Sequence, residues 1–249
     1  MKFSIITVSY NSSDTIADTI RSVSGQNHSD TEYLIIDGAS SDGTLKILDS
    51  LKDKIDILVS EKDNGIYHAM NKGIGKANGD VIGILNSDDI YADEFVLKDV
   101  AKIFENPETE AVYADLVYVD RDDTNKVKRK WISGKYTHGD FRKGWMPPHP
   151  TFFVQKSVYD KYEAFNLDFT SAADYELMLR LIHKHQIKIA YLPRVIIKMR
   201  VGGQSNVTLK NRLKANKEDQ KAWEVNGLKP GKLTFLRKPL SKLGQFLKR

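Results

Sequence analysis

The chain has 249 residues, 41% of them hydrophobic, with 38 Lys and Arg against 33 Asp and Glu, and no cysteine. That length supports one elaborated domain with a sizeable core, and the lack of thiols excludes disulfides, thiolate metal sites and cysteine nucleophiles, so any metal takes oxygen or imidazole ligands. The charge is divided: residues 1–125 carry 11 basic against 24 acidic side chains, a balance of −13, whereas residues 126–249 carry 27 against 9, a balance of +18, which points to an anionic partner for the second half.

Phe3 to Val8 reads as a buried strand closed by the polar turn Ser9-Tyr10-Asn11-Ser12-Ser13, after which Ile16, Ile20 and Val23 recur at helical spacing. Tyr33 to Ile36 is a second strand, ending in Asp37-Gly38, and Ile47, Leu48 and Leu51 face the next helix inward. Ile55 to Val59 is a third strand. After Asp63-Asn64-Gly65, the positions Ile66, Ala69, Met70, Ile74 and Ala77 make an amphipathic helix. A fourth strand, Val81 to Leu85, stops at Asn86-Ser87-Asp88-Asp89. Strands alternating with helices through short connections predict right-handed crossovers and a mostly parallel α/β sheet. Its carboxyl rim then collects Asp37, Asp63 and the Asn86–Asp89 run, where open sheets of this kind bind ligands. Each polar run alone is equally readable as a turn or helix cap. Adjacent carboxylates at Asp88 and Asp89 are costly to hold together unless a divalent cation sits between them and an anionic ligand. Neither a Gly-x-Gly-x-x-Gly nor a P-loop follows the first strand, against a dinucleotide enzyme or an NTPase.

Four blocks carry a resemblance. Ile5-Ile6-Thr7-Val8-Ser9-Tyr10-Asn11, Ile35 through Thr44, Asp63 through Ile74, and Leu85-Asn86-Ser87-Asp88-Asp89 closely resemble the family 2 inverting glycosyltransferases of bacterial polysaccharide and capsule assembly. The resemblance implies a GT-A, Rossmann-like fold and a nucleotide-diphosphate sugar donor, with UDP the commoner carrier. It implies that Val8, Ser9, Tyr10 and Asp37 hold base and ribose, and that Asn64, Gly65, Asn71 and Lys72 lie near the donor. Asn86, Ser87 and Asp88 replace a strict Asp-x-Asp, and Asp88 or Asp89 is implied to bind Mg²⁺ or Mn²⁺ bridging the diphosphate. His68 stands where related sequences often carry Asp.

Past residue 92, Phe95, Val96, Val100, Ile103 and Phe104 make a helix, Ala111 to Val119 a strand, and the charged run Arg121 to Lys130 a solvated hairpin or loop. The segment Gly144-Trp145-Met146-Pro147-Pro148-His149-Pro150-Thr151-Phe152-Phe153 resembles the family's His-containing segment before an acceptor-side strand, placing Trp145 and His149 on the acceptor side; Phe152 and Phe153 read equally well as core. Asp174 opens a long apolar helix. From the residues alone it is a first-turn acid stabilising the helix; the resemblance makes it the general base. Ile187 to Leu192 and Val195 to Met199 read as strands, with Lys198 and Arg200 either meeting phosphate or lying on a solvated edge, and Gly202-Gly203-Gln204-Ser205 resembles the family's loop after them.

A polar helix is expected from Leu209 to Trp223. Residues 229–249 hold seven Lys and Arg and no acid, with leucines at spacings of three and four, a pattern suited to anionic lipid or to packing on protein. The expected organisation is a GT-A domain over 1–205, with a nucleotide-sugar half (1–92) and an acceptor half (93–205), followed by a basic helical extension over 206–249. No apolar run approaches the roughly 20 residues of a spanning helix and no secretory signal is evident, so a cytoplasmic place, peripheral on the membrane's inner face, is expected. The basic residues form no nucleic-acid recognition motif. The function expected is transfer of a sugar to a hydroxyl of a glycan or a polyprenyl-diphosphate-linked acceptor. A sugar-1-phosphate nucleotidyltransferase, or a nucleotide-sugar-binding subunit without catalysis, are the other readings.

Overall fold

The computed structural model describes residues 1–202, 209–231 and 234–235. The loop reading at 203–205 and most of the basic tail, 232–233 and 236–249, lie outside the described residues. The first half alternates strictly: β1 (Phe3–Ser9), α1 (Ile16–Ser24), β2 (Thr31–Asp37), α2 (Thr44–Ser50), β3 (Ile57–Ser60), α3 (Ile66–Lys76) and β4 (Val81–Ile84). The second half holds β5 (Asp89–Tyr91), α4 (Val96–Phe104), β6 (Ala111–Val119), β7 (Val127–Trp131), β8 (Phe153–Gln155), α5 (Lys156–Tyr162), α6 (Ala173–Met178), which runs on as a π-helical turn to Lys184, β9 (Ile189–Arg200) and α7 (Leu209–Val225).

Among the described residues these strands form one nine-stranded sheet in the order β3-β2-β1-β4-β8-β6-β9-β5, with β7 beside β6. The β3-β2-β1-β4 half is parallel, as the alternation predicts. The other half is mixed: β8 is antiparallel to both β4 and β6, β7 forms a hairpin with β6, and β5 is antiparallel to β9. β5 and β8 have three residues each, too short for any periodicity to announce them. The two strands expected around Pro193 are one strand, β9, whose register against β6 shifts beside Asp115; a proline, which lacks the N–H a ladder needs, is accommodated at such an irregularity. β9 lies between β6 and β5, so Lys198 and Arg200 are not on an edge strand.

Neighbouring residues of the central strands face opposite layers. Ile6, Val8, Leu34 and Ile36 pack with α3, α5, α6 and Trp223, while Phe3, Ile5, Tyr33 and Ile35 pack with α1, α2 and α4. Both faces of the central strands are covered, which is why they read as largely apolar runs. Helix α3 sits close because Gly73 faces the sheet: a Cβ there would lie 2.5 Å from Ile6 Cγ2. Phe152 and Phe153 are core residues at 2% and 1% exposure, and Phe153 packs so near Gly83 that a Cβ on it would meet the ring at 2.5 Å. The polar helix expected after Leu209 is α7, and its Trp223 is fully buried.

Candidate active site

Parallel register puts the carboxyl ends of β1, β2 and β3 side by side, pairing Ser9 with Asp37 and Asp37 with Ser60. Asp37 is wholly buried. Its Oδ1 accepts the Ser9 hydroxyl at 2.9 Å and the Ser40 hydroxyl at 2.5 Å, and its Oδ2 accepts the Ser40 N–H at 2.9 Å and the Ser60 hydroxyl at 2.7 Å. Four donors occupy this carboxylate, so Asp37 shapes the loops after β1 and β2 from within. Those loops are cross-tied: Asn11 N–H donates to the Ser40 hydroxyl and Asn11 Oδ1 accepts the Ser41 N–H, each at 2.9 Å. Asn11 and Ala39 take the left-handed conformation, φ 50° and 58°, sparsely populated without glycine. Tyr10 is left 58% exposed. Gly38 lies between its ring and Asp63: a Cβ on Gly38 would sit 3.3 Å from Tyr10 Cδ2 and 2.9 Å from Asp63 Oδ2. The Tyr10 ring and the Asp63 carboxylate therefore both flank the bare backbone of Gly38. Val8, by contrast, turns its side chain into the core.

The run after β4 is fastened from α1 and β9. The Ser12 and Ser87 hydroxyls share a hydrogen bond of 2.7 Å, Thr15 donates to the Ser87 carbonyl at 2.8 Å, and Thr19 donates to the Ser87 and Asp89 carbonyls at 3.0 and 2.8 Å. Arg200, 7% exposed, donates to the Asp88 carbonyl at 3.0 Å and to Asp18 at 2.6 Å, so its guanidinium anchors the loop and does not project from the sheet. Asn86 Nδ2 donates to Asp89 Oδ2 at 3.1 Å. Asn86 Oδ1 and Asp89 Oδ1 are buried without a hydrogen-bond partner. Burial, and then the neighbouring Asp88, push the Asp89 carboxyl well up; burial also raises Asp88, against the pull of Arg200 and Arg121. Two orphaned oxygens beside a half-buried carboxylate fit a hard divalent cation. No group of three or more His, Cys, Asp or Glu suited to a metal occurs among the described residues; a cation here would be held by one or two carboxylates, with a ligand's oxygens and water completing its shell, as Mg²⁺ commonly is.

A separate carboxylate lies across the α3 side. Asp174, second residue of α6, accepts the Tyr67 hydroxyl at 3.2 Å. The Tyr67 ring lies 5.4 Å from that of Phe165, and His149 meets the Phe165 ring edge-on at 5.4 Å. His149 is buried, which lowers its pKa, while Asp174 acts in the opposite direction. Asp174, Tyr67 and His149 thus share one neighbourhood. Trp145 does not join it by any described contact: its indole donates to the Ser133 carbonyl at 2.8 Å and its ring packs on Tyr113, Tyr136 and Phe141.

The residues expected near the donor divide. Asn64 and Gly65 are exposed, with Gly65 at φ 113° and its N–H on Asp63 Oδ1 at 2.9 Å. Asn71 grips the backbone of Phe165 at both ends, 2.8 and 2.9 Å, and Lys72 pairs with Glu61 at 2.7 Å, so both have partners within the protein. Sequence reasoning missed Tyr67, although it sits inside a quoted block, and missed Phe165 and the α1 hydroxyls, which reach the site only through the fold. A cavity of about 550 Å³, lined by Tyr113, Lys135, Tyr136, His138, Lys188 and Tyr191 among others, opens at the amino-terminal ends of β6 and β9, the rim opposite to Asp88, and is not this site.

Residues 4–162 match glycosyl transferase family 2. The chain is 31% identical over 188 residues to an uncharacterized glycosyltransferase of Mycobacterium tuberculosis, covering 71% of this chain and 67% of that protein. It is 39% identical over 89 residues to a putative teichuronic acid biosynthesis glycosyltransferase of Bacillus subtilis, covering 34% of this chain and 35% of that one. Its fold matches TarS of S. aureus in complex with UDP-GlcNAc, with TM-score 0.67, 16% identity and 91% of this chain covered; the chain spans 65% of that structure's length. It also matches the mannosyltransferase PcManGT of Pyrobaculum calidifontis in complex with GDP-Man and Mn²⁺, with TM-score 0.69 and 17% identity, over 99% of this chain and 69% of that one. The fold is that of the GT-A glycosyltransferases, and the chain belongs to glycosyltransferase family 2.

Proposed function

We propose that the protein moves a sugar from a nucleotide-diphosphate sugar to an acceptor hydroxyl with inversion at the anomeric carbon, Asp174 acting as general base and the Asn86–Asp89 run serving a divalent cation. The observation that carries this reading is two distinct acidic groups: a run with orphaned oxygens at the end of β4, and a second carboxylate on α6 that accepts the Tyr67 hydroxyl. Tyr10, Gly38 and Asp63 receive the base. Asp88, half-buried at the rim, faces the diphosphate, with Asp89 behind it held by Asn86. A divalent cation bound there, Mg²⁺ or Mn²⁺, offsets charge gathering on the leaving diphosphate. Asp174 takes the proton of the acceptor hydroxyl as that oxygen attacks from the face opposite the nucleotide, and the Tyr67 bond fixes which carboxylate oxygen is free. His149, kept neutral by burial, lines the acceptor side.

UDP is the favoured carrier, since complexes of similar folds hold UDP-GlcNAc and UDP with Mn²⁺. A glycan or a polyprenyl-diphosphate-linked glycan is the favoured acceptor, in keeping with the relative from teichuronic acid biosynthesis and with the basic residues of 229–249. Among the described residues no helix is long and apolar enough to cross a membrane, which suits work on the inner membrane face through that tail. The nucleotidyltransferase reading loses its support with the family assignment.

The test is Asp174→Asn. Turnover, read as UDP release from a UDP-sugar with Mn²⁺, should fall by ~10²–10⁴-fold, while the thermal midpoint shift produced by UDP and Mn²⁺ stays at the wild-type value. Turnover within about two-fold of wild type would dismiss Asp174 as the base.

A further inference from the structure

The helix bearing Asp174 is held by a part of the chain beyond the family match, which ends at residue 162. Helix α7 and the residue after it reach α6 at successive levels. The Glu218 carboxylate accepts the Thr170 hydroxyl at 2.9 Å and the N–H groups of Thr170, Ser171 and Ala172 at 3.2, 2.8 and 2.9 Å. Trp223 Nε1–H donates to the Tyr175 hydroxyl at 2.9 Å, and Asn226 Nδ2 to Glu176 Oε1 at 2.9 Å. Ala172 immediately precedes α6 and Asp174 follows two residues later.

The N–H groups entering a helix have no partner inside it, and no side chain from the flank of α6 itself takes them. Glu218 takes the Ala172 N–H, together with those of Ser171 and Thr170 just before the helix, from 46 to 48 residues away in sequence, through hydrogen bonds that a charged acceptor strengthens. Burial works upward on its carboxyl, but the Ser171, Thr170 and Ala172 donors outweigh it and lower the pKa. Helix α7 is also anchored by the buried Ala222 and Trp223, and the described hydrogen bonds of the Glu218 carboxylate all go to the 170–172 turn. A general base works only if its oxygen lies within hydrogen-bond reach of the proton it takes, and a displacement of about 1 Å costs about 10²-fold.

We infer that Glu218 is a positioning residue for the transfer reaction, clamping residues 170–172 so that the Asp174 carboxylate meets the acceptor hydroxyl. The inference rests on Asp174 being the base. It makes α7 part of the catalytic apparatus.

The experiment uses the full chain carrying Glu218→Ala or the near-isosteric Glu218→Gln, each in the wild-type and the Asp174→Asn background, with UDP release from UDP-glucose or UDP-N-acetylglucosamine and Mn²⁺ as the readout. Glu218→Ala should lower kcat by about 10- to 100-fold with donor KM within about two-fold, Glu218→Gln should fall between, and neither should lower the residual rate of Asp174→Asn further. Amide hydrogen exchange at Ser171 and Ala172 should quicken in Glu218→Ala at an unchanged UDP-induced midpoint shift. Equal losses in both backgrounds, a change confined to KM, or unaltered exchange and kcat would each overturn the inference. If Asp174→Asn alone turns over like wild type, the base assignment fails first and takes the inference with it; if Asp174→Asn is crippled and Glu218→Ala is not, only the inference fails.

Discussion

The Tyr67 hydroxyl donates to Asp174 Oδ1 at 3.2 Å across 107 residues of sequence, joining the helix that follows the third parallel strand to the helix that carries the proposed base. The bond is long for an O–H donor, so it orients the carboxylate more than it stabilises it. Burial, reinforced by the Asp174 charge, raises the Tyr67 pKa, which keeps the phenol a donor at neutral pH.

Tyr67→Phe removes that donor and leaves the ring against Phe165. The fold should survive with a stability loss of about 0.5–1.5 kcal/mol. Steady-state kinetics should show kcat reduced by about three- to ten-fold, less than for a base removal worth ~10²–10⁴-fold, with donor KM unchanged. A larger effect on KM than on kcat would place Tyr67 at the donor instead.

Asp88→Asn tests the metal reading without depending on turnover. At about 100 times its Kd, UDP with Mn²⁺ should stabilise the wild-type protein by about 2.7 kcal/mol, and chelation with EDTA should cancel most of that gain. The variant should show little Mn²⁺-dependent gain from UDP, because the amide keeps one oxygen at the rim but loses the charge that attracts the cation, while Asp89 lies behind it at 0% exposure. Calorimetric midpoints that respond to Mn²⁺ alike in both proteins would remove Asp88 from the cation's shell.

His183, on the π-helical turn after α6, gives a pH dependence. Burial, then the charges of His138 and Arg142, lower its pKa to about 4, and its Nδ1 is buried without a partner. Between pH 6.5 and about 4 the unfolded chain binds a proton at this position that the folded chain refuses, so stability is present above 6.5 and is lost as pH falls through that window. His183→Phe keeps a ring against Phe141 and Trp223 and should flatten the decline. Urea titrations at pH 7 and pH 5, followed by tryptophan fluorescence, check this: equal losses on acidification in both proteins would exclude His183 as the source.

The parallel half of the sheet and its polar rim were legible in the sequence because their causes are local. Phe3–Val8 is mostly apolar and Tyr33–Ile36 wholly so because both faces are covered, and Asn86–Asp89 stands out because a buried strand ends abruptly in oxygen-bearing side chains. Three-residue strands such as β5 and β8 carry no period of their own, and their pairing depends on distant partners. Which polar residues have partners within the protein was likewise decided by tertiary structure alone. Asp37, Asn71 and Lys72 look like binding groups in one dimension, yet the fold supplies Asp37 with serines, Asn71 with the Phe165 backbone and Lys72 with Glu61. Tyr67, Phe165 and Glu218 look unremarkable until the crossovers bring them to Asp174. Burial patterns act over a few neighbouring residues, whereas hydrogen-bond partners are chosen by contacts that close over tens of residues, and only the folded chain contains those.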